Sequence, residues 1–305
     1  MNDPAPPLPP RPTRKTDAHK GDFGKCLLVG GSRGMAGSIA LSTLATLRTG
    51  TGLVTAAVPD RCLETVAAFH PCLMTVPLDD HDGHFGDQAA KQLAGFLQDD
   101  ATGGDIKFDA IGCGPGMSTG MGSQRVVDLL WNQTTKVPRV FDADALNILS
   151  AKGWLNPSQS ADASPDPGPA VLTPHPGELQ RLTGVSVSDR QGQIDAAASI
   201  ADRTGVVIVV KGGPTVVVGR AGRWTNTTGN PGMATAGCGD VLTGVITSLL
   251  GQRGDDGRRM SPWDAARLGV FLHGAAGDRA AERLGQAFMV ATDVIDGLSD
   301  GPSDQ

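Results

Sequence analysis

The sequence predicts an α/β domain with a mainly parallel central sheet and helices on both of its faces. Short apolar segments typical of buried strands alternate with segments of helical periodicity through most of the chain. Several of these apolar segments run directly into glycine-rich turns. In parallel sheets, ligands bind beyond the carboxyl ends of the strands, so the glycine-rich turns are the first candidates for a site.

The size and charge of the chain limit its partners. Its 305 residues suffice for one large α/β domain or two small ones, and 39% of them are hydrophobic. The net charge is −6, which argues against nucleic acid or an anionic membrane surface as a partner. A phosphorylated ligand remains compatible with this charge, because it needs only a local positive site.

Cysteine usage and hydropathy indicate a compartment. The five cysteines are scattered and none forms a C-x-x-C pair, which argues against a disulfide framework or a zinc site and predicts a reducing cytoplasm. No apolar run reaches about 18 residues, so no membrane span is expected. The N-terminus lacks the apolar core of a secretory signal.

We expect three parts in the chain. Residues 1–17 are rich in proline and end in basic residues, which predicts a flexible arm. A proline-rich docking ligand is the less favoured interpretation of this arm. Residues 18–298 form a single domain, and residues 299–305 form a frayed tail.

The first half of the chain shows strands and helices in alternation. Strands are predicted at 26–30, 53–58, 72–76, 109–113 and 137–141, and helices at 38–48, 88–97 and 126–131. The turn at 30–37 joins the first strand to the first helix and suggests a ligand there, although its sequence excludes a Walker loop. Residues 79–87, with His81 and His84, are interpreted as a solvated polar loop rather than a metal site.

Two aspartates follow the strand at 137–141. A single acid in this position can cap the N-terminus of a helix, whereas two acids beyond a strand end can also hold a hydrated Mg²⁺ ion or a polar ligand. We favour capping for Asp144 and leave the role of Asp142 open.

The second half contains predicted strands at 170–173 and 206–210, a hairpin of 215–218 with 223–225, and helices at 193–203 and 263–284. His175 lies between two prolines beyond a strand end, where we favour contact with a substrate. Lys211 follows a buried strand, so its ammonium either faces phosphates or lies on the surface of a turn. His273 is interpreted as a packing residue.

The segment 226–240 is the strongest candidate site. It contains three glycines in eight residues, at 232, 237 and 239, and ends in Asp240. Apolar pairs at 241/242, 245/246 and 249/250 then predict a helix with one buried face. The glycines therefore precede a helix N-terminus, which attracts anions. Asp240 is either a helix cap or a general base that takes a proton from a hydroxyl during phosphoryl transfer.

Seven motifs occur in an order that resembles one known family. They are Lys20-Gly21, Gly37-Ser38, Gly114-Pro115-Gly116, DADALN at 142–147, TPHPGE at 173–178, KGGPT at 211–215 and 230–240 with its terminal Gly-Asp. This order, from about Lys20 to Asp296, resembles the ADP/ATP-dependent NAD(P)H-hydrate dehydratases of the ribokinase-like superfamily. The resemblance implies a ribokinase-like fold and a repair enzyme that removes water from the S epimer of hydrated NADH or NADPH. The implied course is phosphoryl transfer from ADP or ATP to the C6 hydroxyl, followed by loss of phosphate.

The resemblance also implies roles for individual residues. Asp240 deprotonates the C6 hydroxyl, and the backbone amides of Gly237, Cys238, Gly239 and Asp240 hold the phosphoryl group. The adenine nucleotide contacts Lys211, Gly212, Gly213, Pro214, Thr215 and Gly239. The hydrated dinucleotide contacts Gly37, Ser38, Gly114, Gly116, His175 and Asp240. Mg²⁺ accompanies the nucleotide, as phosphoryl transfer usually requires.

The chain departs from the family pattern at two positions. The family usually reads Gly-Gly-Thr-Gly-Asp where this chain has Ala236 and Cys238 in place of the first Gly and the Thr. Because the anion site consists of backbone amides, cysteine keeps it but loses a hydroxyl contact. The family is often fused to an epimerase domain, for which the arm is too short, so a separate epimerase is expected. A homo-oligomer, often a tetramer, is also implied.

Two other classes of function remain open. A small-molecule alcohol kinase of the same superfamily, such as a thiamine-precursor kinase, would release a stable phosphorylated product. Asp240 fits the sugar-kinase type, whereas hydroxyethylthiazole kinases typically carry cysteine in the base position. A non-catalytic nucleotide-binding protein would bind its ligands without turnover, and Ala236 and Cys238 are its only support.

Overall fold

The computed structural model describes residues 7–98, 105–155, 167–254 and 257–299. In these ranges the strands are β1 Lys25–Val29, β2 Leu53–Pro59, β3 Met74–Leu78, β4 Asp80–His81, β5 His84–Phe85, β6 Ala110–Cys113, β7 Arg139–Phe141, β8 Ala170–Leu172, β9 Val207–Val210, β10 Val216–Gly219 and β11 Gly222–Thr225. The helices are α1 Ala36–Arg48, α2 Leu63–Phe69, α3 Ala89–Leu97, α4 Met121–Gln133, α5 Asp144–Ala151, α6 Pro176–Thr183, α7 Arg190–Thr204, α8 Cys238–Gly251, α9 Pro262–Leu284 and α10 Ala291–Gly297.

Within the described part of the chain, one sheet of nine strands has the order β11-β10-β9-β8-β7-β6-β1-β2-β3. The seven strands from β9 to β3 pair in parallel, and β10 is antiparallel to both of its neighbours. The mainly parallel sheet predicted from the sequence is therefore confirmed. The strand order reverses between β1 and β6, where the turns after these two strands contact each other: the amide of Gly31 donates a hydrogen bond of 2.8 Å to the carbonyl of Pro115.

Helices cover both faces of the sheet, as predicted. Along β1, Cys26 and Leu28 face a core shared with α1, α2, α8, α9 and α10, whereas Leu27 and Val29 face a core shared with α3 to α7. Successive strand residues point to opposite faces, so a strand between two helical layers must be apolar at every position. This explains the continuous apolar segments in the sequence.

Several element predictions need correction. The strand predicted at 72–76 begins later, at Met74, because residues 71 and 72 form a turn. The short helices α2, α6 and α10 were not predicted. Residues 80–85, interpreted as part of a loop, form the hairpin of β4 with β5, in which His81 pairs with His84.

The proline-rich arm contacts the domain where the structure describes it. Arg14 Nη2 donates a hydrogen bond of 2.7 Å to the carbonyl of Gly50, and Arg267 Nη2 donates one of 3.1 Å to the carbonyl of Pro7. The flexibility of residues 1–17 and of the tail stays a prediction, because residues 1–6 and 300–305 lie outside the described ranges. Among the described helices, none combines the length and the apolar character needed to cross a bilayer.

Helix α8 is the centre of one layer. All its residues from Val241 to Gly251 are buried, so it is enclosed on all sides rather than on the single face that the sequence predicted. Helix α1 approaches α8 closely at Gly244, where a Cβ atom would collide with the carbonyl of Ser42. Thr46 Oγ1 lies 2.8 Å from the carbonyl of Ser42 in its own helix and 3.1 Å from the carbonyl of Gly244, so this hydroxyl lies between the two helices.

We expect Gly244→Ala to destabilise the fold by about 1–3 kcal/mol, because the added methyl group forces two backbones apart in a packed core. Urea unfolding followed by circular dichroism measures this change. Gly95→Ala is the matched control: Gly95 lies in α3 and a Cβ there meets no atom within 4 Å. It should stabilise the protein by about 0.5–1 kcal/mol. Equal effects of the two substitutions would contradict the packing argument.

Candidate functional site

A cavity of about 920 Å³ opens at the carboxyl ends of the parallel strands. Its wall comes from the turn after β7, the loop between β8 and α6, the loop after β9, the segment 226–240 and helix α9. Ligands of parallel sheets bind beyond the carboxyl ends of the strands, and the cavity lies at such ends, at β7 to β9 rather than at the reversal of strand order between β6 and β1.

The N-terminus of α8 faces this cavity. Gly237 is the N-cap with φ of 90°, and no side chain caps the helix. A side chain at Gly237 would collide with Leu41 and Ala291, so only glycine fits both the space and the backbone conformation. The first amides of a helix lack intrahelical acceptors and lie at the positive end of its dipole. The start of α8 is therefore suited to an anion such as a phosphoryl group.

Asp240 lies in the first turn of α8, as predicted, but it is not the cap, because Gly237 occupies that position. Burial and the charge of Asp142 raise the pKa of Asp240 to about 7, against the opposing effects of a Ser38 hydrogen bond and of Lys211. A carboxylate with a pKa near neutrality can accept a proton at physiological pH and release it again. The arrangement favours the general-base interpretation over capping.

Lys211 lies beside the anion site with only 17% of its side chain exposed, and it does not lie on the surface of a turn. Its Nζ is 2.9 Å from Asp142 Oδ1 and 4.0 Å from Glu178 Oε2. Burial alone would lower the pKa of Lys211, but the charges of Asp142, Glu178 and Asp240 outweigh burial and raise it. Nζ is also 3.3 Å from the point that a Cβ on Gly239 would occupy. The side chain therefore carries a permanent positive charge next to the start of α8.

His175 has a structural task that the sequence analysis did not foresee. It is the N-cap of α6, and its Nδ1 accepts hydrogen bonds from the amides of Gly177 at 3.0 Å and Glu178 at 3.3 Å. Since Nδ1 accepts, Nε2 carries the hydrogen of the neutral ring, and it lies 3.2 Å from Glu178 Oε1. The ring also lines the cavity. Contact between His175 and a substrate stays a prediction.

Glu178 is a buried acid of the cavity wall that the sequence analysis did not select. Its Oε2 accepts a hydrogen bond of 2.8 Å from the amide of His175, which completes a capping box at the start of α6. The signal was present in the sequence as a polar residue followed three positions later by Glu. It was missed because histidine is not one of the preferred cap residues.

The predicted capping role of Asp144 is wrong. Ala143, with φ of 50°, is the N-cap of α5, and Asp144 is the first residue of the helix. The carboxylate of Asp144 instead accepts a hydrogen bond of 2.8 Å from the amide of Ser118. It therefore fastens the turn after β6 to the start of α5.

Of the predicted dinucleotide residues, His175 and Asp240 line the cavity, whereas Gly37, Ser38, Gly114 and Gly116 are not part of its wall. Gly37 and Ser38 lie in the first turn of α1, and Ser38 bonds to the Asp240 side chain. A Cβ on Gly116 would lie 3.0 Å from Ser38 Cβ. A Cβ on Gly114 would collide with the carbonyl of Asp142. The two glycine-rich segments thus meet near Ser38, which bonds Asp240, and their role in binding stays a prediction.

The predicted nucleotide residues do line the cavity: Lys211, Gly212, Gly213, Pro214, Thr215 and Gly239. Arg190, which the sequence analysis missed, holds their loop in place. Its guanidinium donates hydrogen bonds of 2.7 Å to the carbonyl of Lys211, 3.1 Å to that of Val210 and 2.8 Å to that of Pro214. No local pattern marks Arg190, because its partners lie about twenty residues further along the chain.

Asp278 performs a similar task on the other side of the cavity. Its carboxylate accepts hydrogen bonds of 2.8 Å from the amide of Gly229 and 2.9 Å from Asn230 Nδ2. Asp278 lies in α9, about one turn beyond Gly274, which also lines the cavity. The turn at 229–232 is therefore tied to α9.

His273 and Cys238 add two neutral groups to the cavity wall. Burial lowers the pKa of His273 to about 4, so its ring is neutral, and Nε2 has no hydrogen-bond partner among the described residues. The ring thus contributes to the wall as well as to packing. Burial raises the pKa of the Cys238 thiol to about 11. A neutral thiol is a weak nucleophile, so the site does not point to covalent catalysis by Cys238.

Comparisons with known proteins agree with this geometry. A family profile described as NAD(P)H-hydrate dehydratase matches residues 26–299. A bifunctional NAD(P)H-hydrate repair enzyme from Moorella thermoacetica is 40% identical over 293 residues, covering 94% of this chain and 51% of that protein. An ADP-dependent (S)-NAD(P)H-hydrate dehydratase from Neisseria meningitidis is 36% identical over 277 residues, covering 90% of this chain and 83% of that protein. This chain spans about half the length of the bifunctional relatives.

A solved structure shows the same architecture. The ADP/ATP-dependent NAD(P)H-hydrate dehydratase from Bacillus subtilis, co-crystallised with ATP and Mg²⁺, matches with a TM-score of 0.75 and 30% identity, covering 95% of this chain and 92% of that chain. The ribokinase-like fold that the motifs implied is thereby confirmed. From its sequence, its fold and the match over residues 26–299, this chain belongs to the NAD(P)H-hydrate dehydratase family.

Proposed function

We propose that this protein removes water from the S epimer of hydrated NADH or NADPH at the expense of ADP or ATP. The observation that carries the proposal is the position of Asp240, whose pKa is about 7, in the first turn of a helix that no side chain caps. A proton acceptor and a site for a transferring phosphoryl group thus occupy the same helical turn.

The reaction begins with transfer of the terminal phosphoryl group. The carboxylate of Asp240 takes the proton of the C6 hydroxyl, whose oxygen forms a bond to the terminal phosphorus. The bond from this phosphorus to its bridging oxygen breaks, and its electrons leave with AMP when ADP is used, or with ADP when ATP is used. The amides of Gly237, Cys238, Gly239 and Asp240 and the ammonium of Lys211 stabilise the charge on the group in transfer.

The second stage restores the nicotinamide ring. The lone pair of the ring nitrogen forms a double bond to C6 as the C6–O bond breaks and phosphate leaves with its electrons. Loss of a proton from C5 then gives the C5=C6 double bond of NADH or NADPH. Phosphorylation makes this step feasible, because phosphate is a much better leaving group than hydroxide. The oxygen of the original hydroxyl thus leaves in the phosphate.

The wall of the cavity supports a division of the site. We assign the adenine nucleotide to the cavity side, with Lys211, Gly212, Gly213, Pro214, Thr215 and Gly239. We assign the hydrated dinucleotide to Gly37, Ser38, Gly114 and Gly116, of which Ser38 bonds Asp240, and to His175 in the cavity wall. Asp240 then lies between the two ligands, where a base must be placed for transfer from one to the other.

We propose further that Mg²⁺ enters with the nucleotide. The described residues contain no group of three or more His, Cys, Asp or Glu side chains arranged to hold a metal. The Bacillus subtilis relative was co-crystallised with ATP and Mg²⁺, and Mg²⁺ usually binds to substrate phosphates and keeps several water molecules. Its chemistry there would be to neutralise charge on the phosphates.

The remaining proposals concern the setting of the enzyme. We propose a cytoplasmic homotetramer that works beside an epimerase. The Neisseria relative is named for the S epimer, and an enzyme restricted to that epimer leaves the R epimer to accumulate unless another activity converts it. Bifunctional relatives are named as repair enzymes, which is consistent with such a coupling.

The decisive experiment mixes the purified protein, hydrated NADH, Mg²⁺ and either ADP or ATP. The near-ultraviolet absorbance of the reduced nicotinamide ring should rise in step with the release of phosphate. A stable phosphorylated hydrate would identify a kinase instead. Binding of both ligands without any turnover, in folded protein, would identify a binding protein.

The rate should depend on pH through Asp240. Its ionised form is the active base, and its pKa is about 7, so kcat/KM should fall about tenfold per pH unit below neutrality. His273, with a pKa of about 4, stays neutral in this range and does not contribute. Initial rates over the pH range around neutrality measure the profile. A flat acidic limb would show that the base is not Asp240.

A further inference from the structure

We propose that Asp142 is a positioning residue of this site, whose carboxylate fixes the ammonium of Lys211 and the first turn of α8 in one arrangement before the nucleotide binds. The inference deepens the proposed function and rests on it for its kinetic consequences. Asp142 follows β7 and contacts residues that are distant in the chain, Lys211 after β9 and Thr243 in α8.

Both oxygens of the Asp142 carboxylate accept a hydrogen bond from another side chain. Oδ1 accepts a hydrogen bond of 2.9 Å from Lys211 Nζ, and Oδ2 accepts one of 2.7 Å from Thr243 Oγ1. The same hydroxyl lies 3.3 Å from the carbonyl of Gly239. Because a hydroxyl donates only one hydrogen, the shorter contact identifies Asp142 as its main acceptor. Asp142 thus binds one group from each side of the anion site.

The carboxylate lies behind the anion site rather than inside it. A Cβ on Gly239 would be 3.3 Å from Lys211 Nζ and 3.9 Å from Asp142 Oδ2. The ammonium is therefore closer than the carboxylate to Gly239, whose amide we assign to the phosphoryl group. Lysine has a flexible stem, and the buried partner removes most of its freedom in advance, which is how a preorganised site gains transition-state stabilisation.

The backbone of Asp142 is itself held firmly. Its amide donates to the carbonyl of Cys113 at 3.0 Å, and its carbonyl accepts from the amide of Ala145 at 3.1 Å. Asp142 is 1% exposed. A buried carboxylate is unfavourable unless it is paired and hydrogen-bonded, so its presence calls for partners of this kind. The cap position of α5 belongs to Ala143, which excludes a capping role for Asp142.

These contacts bear on two questions that the sequence left open: the role of Asp142 and the role of Asp240. Asp142 and Asp144 do not share a task, because Asp144 bonds to the amide of Ser118. Asp142 also acts on Asp240: its charge raises the pKa of Asp240, as does Glu178, whereas Ser38 and Lys211 lower it. The described groups that face Asp240 from neighbouring elements are therefore Asp142, Glu178, Lys211 and Ser38, with the neutral thiol of Cys238 in its own helix.

The test is Asp142→Asn, which keeps the size of the side chain and removes its charge. We expect kcat to fall about 10–100-fold and the KM for the nucleotide to rise, because Lys211 is no longer held. The acidic limb of the kcat/KM profile should move to lower pH, since the charge that raised the pKa of Asp240 is gone. A merely structural role would not move this limb. Asp128→Asn makes the same chemical change at another lysine-paired aspartate, which bonds Lys152 outside the main cavity, and should leave all three quantities unchanged.

Two variants of Thr243 keep the test decisive if Asp142→Asn folds poorly. Thr243→Ser retains the hydroxyl and should behave like the parent protein. Thr243→Val retains the shape but deletes the hydrogen bond to Asp142, and kcat should fall by a smaller factor in the same direction. Unchanged kinetics in both Asp142→Asn and Thr243→Val, with folded protein, would overturn the proposal.

Direct titration of the protein with Mg²⁺ and ADP in a calorimeter separates this inference from the proposed function. If the parent protein does not turn over hydrated NADH, the proposed function fails. Even then, a weaker affinity of Asp142→Asn for ADP would support the inference that Asp142 positions the ammonium of Lys211. If the parent turns over but Asp142→Asn matches it in affinity, kinetics and pH profile, only the positioning role fails.

Discussion

Replacing Asp240 with asparagine should lower kcat for hydrated NADH by at least about 1000-fold while ADP still binds. General bases contribute roughly 10²–10⁴-fold, and the amide of asparagine cannot take the proton of the C6 hydroxyl. The substitution preserves the size of the side chain and the hydrogen bond that Ser38 can donate. It also removes a negative charge from the neighbourhood of the phosphates, so the affinity for ADP should stay equal or increase.

Turnover assays with hydrated NADH and calorimetric titration with ADP check the two halves of this prediction separately. A variant that keeps more than about a tenth of the parent rate would be inconsistent with proton abstraction by Asp240. Loss of ADP binding together with loss of turnover would point instead to a collapse of the first turn of α8. Asp264→Asn is the matched control. Asp264 contacts Ser261 and Arg267 at the start of α9, and it is not part of the cavity wall.

The anion site was predictable because its information is local. Gly237, Gly239 and Asp240 lie within four positions of one another, and the apolar pairs that follow them define the helix. Backbone amides at a helix start bind anions whatever the side chains are, so the pattern predicts the chemistry directly. The same reasoning could not decide whether Asp240 is a cap, because that depends on which residue occupies the cap position. The structure shows that α8 begins at Cys238 with Gly237 as its N-cap, so Asp240 is not the cap.

The charge network behind the anion site was not predictable in the same way. Lys211 and Asp142 are 69 positions apart, and Asp142 and Thr243 are 101 positions apart. In the sequence alone, Lys211 is an ordinary lysine in a turn, Asp142 an acid after a strand, and Thr243 a polar residue in a helix. Only the order of β7, β8 and β9 in the sheet brings the first two to the same edge. The three-dimensional arrangement changes Lys211 from a free cation to a fixed one.

The missed helices have a related cause. Helix α6 has eight residues and begins with a proline after a histidine cap, and α10 has seven residues. Segments this short contain about two turns, too few for a periodic pattern to be distinguished from chance. Packing stabilises them in the fold: Leu179 of α6 and Val294 of α10 are fully buried. The long helices were found because their periodicity repeats.

Replacing Lys211 with methionine should have the second largest effect, with kcat/KM reduced by about 100–1000-fold. The substitution removes the positive charge beside the phosphoryl group and leaves Asp142 buried without its ionic partner. It should also move the acidic limb of the pH profile to higher pH, because Lys211 lowers the pKa of Asp240. This shift is opposite in sign to the one expected for Asp142→Asn, so the two variants test the same network from its two ends.

The stability of the fold provides a second measurement, because a buried carboxylate without an ionic partner destabilises the folded protein. Lys211→Met should destabilise the fold by about 3–5 kcal/mol, whereas the double variant Asp142→Asn with Lys211→Met should recover part of that stability without recovering the rate. Lys152→Met is the matched control, because Lys152 pairs with Asp128 at 2.7 Å outside the main cavity. Stability losses that simply add in the double variant would mean that the two side chains do not act as a pair. If the double variant regains stability but not turnover, the charge on Lys211 serves nucleotide binding and catalysis rather than the stability of the fold.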